Sequence, residues 1–488
     1  MAFRDLREFI HRLEEEGELK RISVEVDPVL EITEITDRVT RAGGPALLFE
    51  RPKGSRIPLL INMLGSERRM NLALEVQQLD EVAARIRSFL EFQSPQGLFD
   101  KLKMLPRLAE LGSFFPKTMK GGACKEVIRR QDFSLLEFPI LKCWPKDGGR
   151  YITWPLVITS NPETGKRNVG VYRMQVFDER TTGMHWQTQK HGAEHFRRAR
   201  ARDSKGRIDV AVAIGADPVT CLAGILPIPP DLDEMMFAGF LRREPVEMVP
   251  CETSSLEVPA NAEIVLEGII RAGYREQEGP FGEFSGYMSS GGQQPVVELT
   301  CITRRRLPVY HSFLSQMPPS ESSCIRSISR SAAVYHHLRQ VLGLPVRAVH
   351  FTESGGASCV LVISIKKEYP EQVKEVAWGA WSLMNKEGKF TVVVDEDVDV
   401  HNPFQVEWAM SFHSQPARDT FMVDGVVPSG VDPSTAAADI PQHDPRRRTG
   451  SKILIDATRK HTYPPRARVP AEFIDRAKAK WPEYGFTK

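Results

Sequence analysis

Ten consecutive residues, Glu278-Gly-Pro-Phe-Gly-Glu-Phe-Ser-Gly-Tyr287, hold two carboxylates, three glycines and a proline. Glycine and proline at this density exclude a continuous helix or strand, so the backbone turns sharply here, directly after the apolar run 263–270. In an extended strand Glu278 and Glu283 would project from opposite faces, being an odd number of residues apart. A loop broken at Gly279, Pro280 and Gly282 brings both to one cavity, flanked by Phe281 and Phe284. Two carboxylates in such surroundings cannot both ionise cheaply, so the pair predicts one with a raised pKa, a proton donor near neutral pH. The plainer reading of the same residues is a glycine-rich surface turn with solvated glutamates.

A chain of 488 residues is too long for one ordinary core and predicts about two or three domains. Lysine plus arginine (65) nearly balances aspartate plus glutamate (63), so charge offers no argument for a nucleic-acid partner. The seven cysteines are scattered without a C-x-x-C pair, which fits a reducing cytoplasm better than a disulfide framework or a zinc site. Residues 1–20 alternate charged and apolar side chains, and nowhere do about 18 apolar residues run together. The expectation is a cytoplasmic protein without an integral membrane segment.

Leu6, Phe9, Ile10 and Leu13 recur at helical spacing and Gly17 supplies a stop. A strand over 20–26, a helix from Asp27-Pro28 to Arg41, strands over 46–49 and 58–63, and a helix over 79–90 then make an N-terminal α/β domain, 1–120. Over 121–320 the texture is β, with strands expected at 151–160, 168–177, 184–189, 208–214, 246–250, 263–270, 296–302 and 309–313. Two helices, 193–201 and 233–242, interrupt them. So many strands on short turns predict a barrel or sandwich. The stretch 321–342 reads as a linker helix, since 323–342 lacks glycine and proline. Strands over 346–351, 359–365 and 390–394 and helices over 370–384 and 403–413 return α/β texture in a C-terminal domain, 343–488. Within it, 428–451 reads as a loop or arm, and the amphipathic tail helix 471–480 is suited to docking on a neighbouring subunit.

Arg173, on a predicted strand in an apolar domain, needs an anion, because a buried guanidinium without one is expensive. Strict alternation puts Asn168 and Arg173 on opposite faces, so a shared site demands a bulge or a ligand that wraps the strand end. His185, His191 and His195 fall within eleven residues and raise the prospect of a metal ligand, although no H-E-x-x-H spacing is present. Asp233-Glu234 opens a helix, where carboxylates also complement the helix dipole. The basic runs at 197–200, 304–306 and 446–448 come without an RNA-binding motif and read as solvated faces or phosphate contacts.

These stretches, in this order, together with Glu15-Glu-Gly-Glu-Leu-Lys-Arg, Gly43-Gly-Pro-Ala-Leu-Leu-Phe-Glu, Gly215-Ala-Asp-Pro, Phe237-Ala-Gly-Phe and Pro416-Ala-Arg-Asp, resemble the UbiD family of prenylated-flavin-dependent decarboxylases. The resemblance runs almost end to end. It implies a multidomain α+β fold: an N-terminal α/β domain, a central split β-barrel like that of flavin reductases, a linker helix and a C-terminal α/β oligomerisation domain. It implies Arg173, Glu278 and Glu283 as a catalytic triad, and Asn168, His191 and Glu234 as ligands of a divalent metal, usually manganese, a set that also suits magnesium. Thr153, Val171, Tyr172, His185, Trp186, Gln187, Lys190 and Pro227 fall where the family contacts its cofactor, prenylated FMN, and Lys389 where the C-terminal domain reaches it. A potassium ion is implied near the main-chain oxygens of Val169, Ala223, Gly224 and Leu226.

The implied reaction is reversible, non-oxidative loss of CO2 from a small carboxylic acid, with Arg173 holding the substrate carboxylate and favouring ionised Glu278, and Glu283 protonating the carbon that lost it. Glu283 and His191 resemble the branch acting on aromatic, heteroaromatic or α,β-unsaturated acids more than the branch acting on a 3-polyprenyl-4-hydroxybenzoate in quinone biosynthesis. A non-catalytic subunit of a multisubunit carboxylase would not need all three triad residues. A flavin prenyltransferase as cofactor supplier and a homodimer or homohexamer complete what the resemblance implies.

Overall fold

Leu6, Phe9, Ile10 and Leu13 all lie on the buried face of the helix Leu6–Glu15, which Asp5 caps by accepting from the N–H groups of Arg7 and Glu8. The computed structural model describes residues 2–77, 81, 85, 112–187, 190–203, 206–226, 232–435 and 449–486. The helix expected over 79–90 lies almost wholly outside these, and the arginine run 446–448 entirely so.

The N-terminal sheet runs in the order Leu19–Val26, Ala46–Pro52, Leu59–Ile61 and Tyr310–His311. Its last strand comes from far along the chain and pairs in parallel with Leu59 and Leu60. This sheet is therefore not built from the first 120 residues alone.

The central sheet carries the site. Its path runs Thr181–Gly183, Gly292–Arg304, Ile264–Glu278, Arg207–Ile214, Leu156–Ser160 and Arg167–Val171, with Val127–Arg129 pairing to Gly292–Arg304. Alternation divides its apolar side chains between two cores. Val157, Ile208, Val210, Val212, Leu266 and Ile270 enter one, while Leu156, Ile158, Ala211, Ala213 and Val265 enter the other. Closure is incomplete among the described residues. Only the pair Tyr151–Ile152 with Met174–Gln175, and an isolated bridge between Val176 and Thr182, approach across the gap. This is a split barrel rather than a closed one.

Two strands differ from expectation in ways that shape the site. The apolar run predicted a strand ending near Ile270, but Ile264–Glu278 continues through exposed polar residues, because Arg275 to Glu278 pair with Pro295 to Gly292. The strand expected over 184–189 lies earlier, at Thr181–Gly183, where pairing with Val296 to Glu298 fixes it; 184–187 then run as irregular chain.

Ser320 and Ser323 form a reciprocal capping box at the start of the linker helix Glu321–His336. This helix is shorter than expected, since His337–Val341 adopts a wider π-type turn. The C-terminal sheet follows in the order Val346–Phe351, Val360–Ile365, Phe390–Asp395, Gly450–Ala457 and Thr420–Val426. Helix Gln372–Leu383 packs into one of its cores and helix Pro403–His413 into another. The tail helix Ala471–Ala479 buries no residue, leaving Phe473 and Ile474 over 40% exposed. No helix among the described residues is long and apolar enough to cross a membrane. All seven cysteines are free thiols.

Candidate active site

The conflict between Asn168 and Arg173 is resolved by a break in the strand. Arg167–Val171 belongs to the central sheet, Met174–Gln175 pairs instead with Tyr151–Ile152, and Tyr172 and Arg173 form the corner between them. Strict alternation ends at this corner. The Arg173 guanidinium then binds both glutamates of the Gly-Pro loop. Its Nε donates to Glu278 Oε1 at 3.0 Å, Nη2 donates to Glu278 Oε2 at 3.2 Å, and Nη1 donates to Glu283 Oε1. The ring of Phe281 lies 4.5 Å from the guanidinium carbon. His185 Nδ1 stands 2.6 Å from Glu278 Oε2 and 3.1 Å from Arg173 Nη2.

Burial disfavours ionisation of Glu278, but the hydrogen bond to His185 and the charge of Arg173 outweigh it and hold this carboxyl below the ordinary glutamate range. Burial likewise opposes the charge on Arg173, and the two glutamates overcome it and push its pKa up. The loop does bring two carboxylates together, as its composition predicts. The hydrogen bond to His185 and the charge of Arg173 hold Glu278 ionised.

The loop is held by groups that sequence reasoning missed. Asp147 accepts from the N–H of Gly282 at 2.9 Å and from that of Trp144 at 2.8 Å. Gln175 Oε1 accepts from Gly279 N–H at 2.7 Å, and the Tyr151 hydroxyl lies 3.0 Å from the carbonyl oxygen of Gly279 and 3.1 Å from that of Pro280. Gly148 lies so close to Gly279 that a Cβ on either would fall 2.4 Å from the other's Cα. The only sequence sign of this scaffold is the turn-forming Asp147-Gly-Gly.

A second cluster forms on the other side of Tyr172. Asn168 Nδ2 lies 3.5 Å from the Tyr172 hydroxyl, which is also hydrogen-bonded to the main chain of Gly192, the second residue of helix His191–Arg202. Glu234 Oε2 accepts from Val169 N–H at 3.1 Å. Asn168, Glu234 and the start of the His191 helix thus converge. Burial pushes the Glu234 carboxyl up to about 7, against the stabilising N–H groups of its own residue and Val169. A buried carboxylate that stays raised despite the field of Arg167, with Asn168 on the adjoining strand, fits a hard divalent ion. Among the described residues no three histidine, cysteine, aspartate or glutamate side chains gather, so a site here needs the Asn168 oxygen.

The three histidines separate by role. His185 serves Glu278; His195 Nδ1 pairs with Thr159 Oγ1 at 3.0 Å, and burial lowers its pKa to about 4; His191 opens its helix. Around them, Thr153 Oγ1 accepts from Phe313 N–H and meets Ser312, and Trp186 packs under Gly192 with its indole N–H buried and without a partner among the described residues. Val171 touches the position of Gly224, the cap of helix Pro218–Ala223, where unsatisfied helix carbonyls gather. Gln187 follows Trp186 in irregular chain, and Lys190 caps the His191 helix. Lys389 is instead ion-paired with Asp432 at 3.0 Å and bonded to Ser434, within the C-terminal part of the chain. Pro227 lies outside the described residues.

The 3-octaprenyl-4-hydroxybenzoate carboxy-lyase models match as an N-terminal domain over 10–86, a Rift-related domain over 117–318 and a C-terminal domain over 323–457. The chain belongs to the UbiD family. An uncharacterized protein of Archaeoglobus fulgidus is 46% identical over 461 residues, covering 94% of this chain and 92% of that one. The UbiD-class enzyme HmfF from Pelotomaculum thermopropionicum, solved with FMN, aligns at TM-score 0.83 and 32% identity over 97% of this chain and 98% of its own. Vanillic acid decarboxylase of Sedimentibacter hydroxybenzoicus in its closed form aligns at TM-score 0.80 and 28% identity over the full length of both chains. UbiD members are carboxy-lyases, and their three-part architecture is the one described above.

Two outcomes test this geometry. Gly148→Ala is expected to push the Glu278–Glu283 loop outward and cost about 1–3 kcal/mol, measured by denaturant unfolding. The second concerns pH. The folded-state pKa of Glu278 lies below its ordinary value of 4.5, so its stabilising contribution is complete above about that pH and is lost as pH falls through the folded value. Urea unfolding from pH 7 to pH 3 is expected to show falling stability in the wild type. Glu278→Gln should be less stable by about 3 kcal/mol at pH 7 and show a flatter profile.

Proposed function

We propose that this protein is a reversible, non-oxidative decarboxylase of aromatic, heteroaromatic or α,β-unsaturated carboxylic acids that works with prenylated FMN and a divalent metal. The observation that carries the reading is the buried Arg173 joined to both Glu278 and Glu283. A FMN complex and a prenylated-FMN complex of HmfF support the cofactor.

Asn168, His191 and Glu234 would hold manganese or magnesium, and through it the cofactor phosphate, which the N-terminus of the His191 helix also favours. Main-chain oxygens of Val169, Ala223, Gly224 and Leu226 are the candidates for potassium. Thr153, Val171, Tyr172, His185, Trp186, Gln187, Lys190 and Pro227 would line the flavin, and Lys389 would have to exchange Asp432 for it. When bound, prenylated FMN supplies the sink for the electron pair released as CO2 departs.

The chain's own groups do the rest. Arg173 orients Glu283 and keeps Glu278 ionised, and Phe281 covers the guanidinium. Glu283 delivers a proton to the carbon that has lost its carboxylate and takes it back in the carboxylation direction. Glutamate at 283 disfavours a polyprenyl-hydroxybenzoate substrate, and the intact triad disfavours a non-catalytic subunit. A flavin prenyltransferase would supply the cofactor. A homodimer or homohexamer is the proposed assembly, with the exposed tail helix as a contact; one HmfF structure is of an evolved dimeric form.

Purification with and without a co-expressed flavin prenyltransferase tests the reading. The expected outcome is a flavin-derived chromophore, a bound divalent metal and CO2 release from an aromatic-acid panel only in the co-expressed sample. Glu283→Gln should retain chromophore and metal but lower turnover by roughly a hundred- to ten-thousand-fold. Full turnover in that variant would remove Glu283 from the mechanism.

A further inference from the structure

Glu321 opens the linker helix as a buried carboxylate, apart from the cluster around Arg173. Its Oε1 accepts from Leu64 N–H at 2.6 Å, and the N–H groups of Asn62 and Met63 also favour its charge. These three residues belong to a turn with little freedom, since Asn62 has a φ of 60° and a Cβ on Gly65 would run into Asn62 Oδ1. Arg69 approaches the same glycine, and its Nη1 donates to Glu18 at 3.0 Å and to the Gly44 carbonyl at 3.1 Å, so the turn is fixed to the N-terminal sheet. Burial pushes the Glu321 carboxyl up to about 7, against those N–H groups and the field of Arg69. An apolar residue there would cost the fold less, so the placement of this carboxylate calls for a reason other than stability.

The helix takes its other polar contacts from the C-terminal part of the chain. Ser323 Oγ donates to Glu353 Oε1 at 3.1 Å, Ser327 Oγ donates to the Phe351 carbonyl at 2.6 Å, and Ser331 Oγ accepts from Phe351 N–H at 2.9 Å. Arg330 donates to the Ala357 carbonyl at 2.8 Å. Among the described residues, the hydrogen bonds of this helix to residues 1–77 are those of Glu321 alone. Cys324 and Ile325 add apolar packing in the core shared with Leu64 and Met70, but such packing has no direction. Beyond them a cavity of about 1230 Å³ lies between Met70 and Leu74 on one side and Ala348 and Val392 of the C-terminal sheet on the other.

The same helix and the turn after Phe351 grip the catalytic loop. The Phe284 ring centre lies 3.9 Å from the guanidinium carbon of Arg326, and the ring sits so close to Gly356 that a Cβ there would fall 2.6 Å from it. Glu283 is the preceding residue. Arg326 stands five residues, roughly 7.5 Å of helix, from Glu321.

We propose that Glu321 is a positioning residue, the pivot that sets the linker helix and the C-terminal sheet over Phe284 and, through Phe284, fixes the acid Glu283. The inference rests on the decarboxylase reading of Glu283. An acid has to stand close to the carbon it protonates, so a small tilt of the helix carries it out of range. One directional bond at the start of the helix fixes that tilt, whereas apolar packing alone lets it slide.

Amide hydrogen exchange on the cofactor-free full chain tests the joint. In Glu321→Ala, residues 279–290 are expected to exchange about tenfold faster while 46–61 and 346–365 keep wild-type protection. Glu321→Gln, which keeps an acceptor for Leu64 N–H, should stay within about twofold of the wild type. Glu321→Asp, whose acceptor is withdrawn by one methylene, should fall between them and carries the test if the alanine variant does not fold. With prenylated FMN loaded, Glu321→Ala should lower kcat about tenfold or more and leave KM within about threefold, as a displaced acid does and a lost substrate contact does not. Unchanged exchange at 279–290, an equal rise in all three segments, an unchanged kcat, or Glu321→Gln as loose as Glu321→Ala overturns the proposal. If loaded wild type turns over no acid, the decarboxylase reading fails, and the exchange pattern still decides whether Glu321 sets the loop.

Discussion

A single guanidinium holds the central part of this structure to its purpose. Arg173 sits where a strand leaves one sheet for another, and its partners come from three further places: the end of the long strand Ile264–Glu278, the small hairpin that follows it, and the irregular chain after Gly183. Glu278 ends a paired strand, while Glu283 and His185 lie in irregular chain at the point of contact. The charge they share joins them, and Asp147, Gln175 and Tyr151 hold the loop in place around it. A buried ion pair adds little net stability over an apolar replacement, but removing one partner strands the other at a cost of about 3–5 kcal/mol. The arrangement is thus a geometric specification more than a source of stability.

The same logic separates the two buried glutamates on either side of Tyr172. Glu278 and Glu234 both suffer from burial, yet one is held below the glutamate range and the other is raised to about 7. The difference is a resident cation. Glu278 is bonded directly to Arg173, whereas Glu234 has main-chain N–H groups and only the more distant field of Arg167, offset by that of Asp233. A buried carboxylate so placed suits a metal ion.

Much of this was legible in the sequence where composition alone decides the backbone. The glycines and proline around Glu278 and Glu283 demanded a turn, and the helical spacing of Leu6 to Leu13 demanded a buried face. The linker helix was marked by the absence of glycine and proline over 323–342, although it gives way at His336, and the C-terminal sheet by the return of alternating strand and helix texture. What was not legible came from pairing between distant segments. The polar residues Arg271 to Gln277 carry no strand signal, and only the partner strand makes them one. The break at Tyr172–Arg173 has no glycine or proline to announce it, so alternation pointed the wrong way. Asp147, Gln175 and Tyr151 act through main-chain contacts that any polar residue in sequence could equally suggest.

The strand Tyr310–His311 has a consequence for how the molecule is made. It completes the N-terminal sheet beside Leu59–Ile61, yet it is translated after the entire hairpin that carries both loop glutamates. The first domain to leave the ribosome therefore waits, with an open sheet edge, until the active-site loop has emerged. Closing that edge pairs residues 310 and 311 with Leu59 and Leu60, a long-range contact that can form only after the catalytic loop has been made.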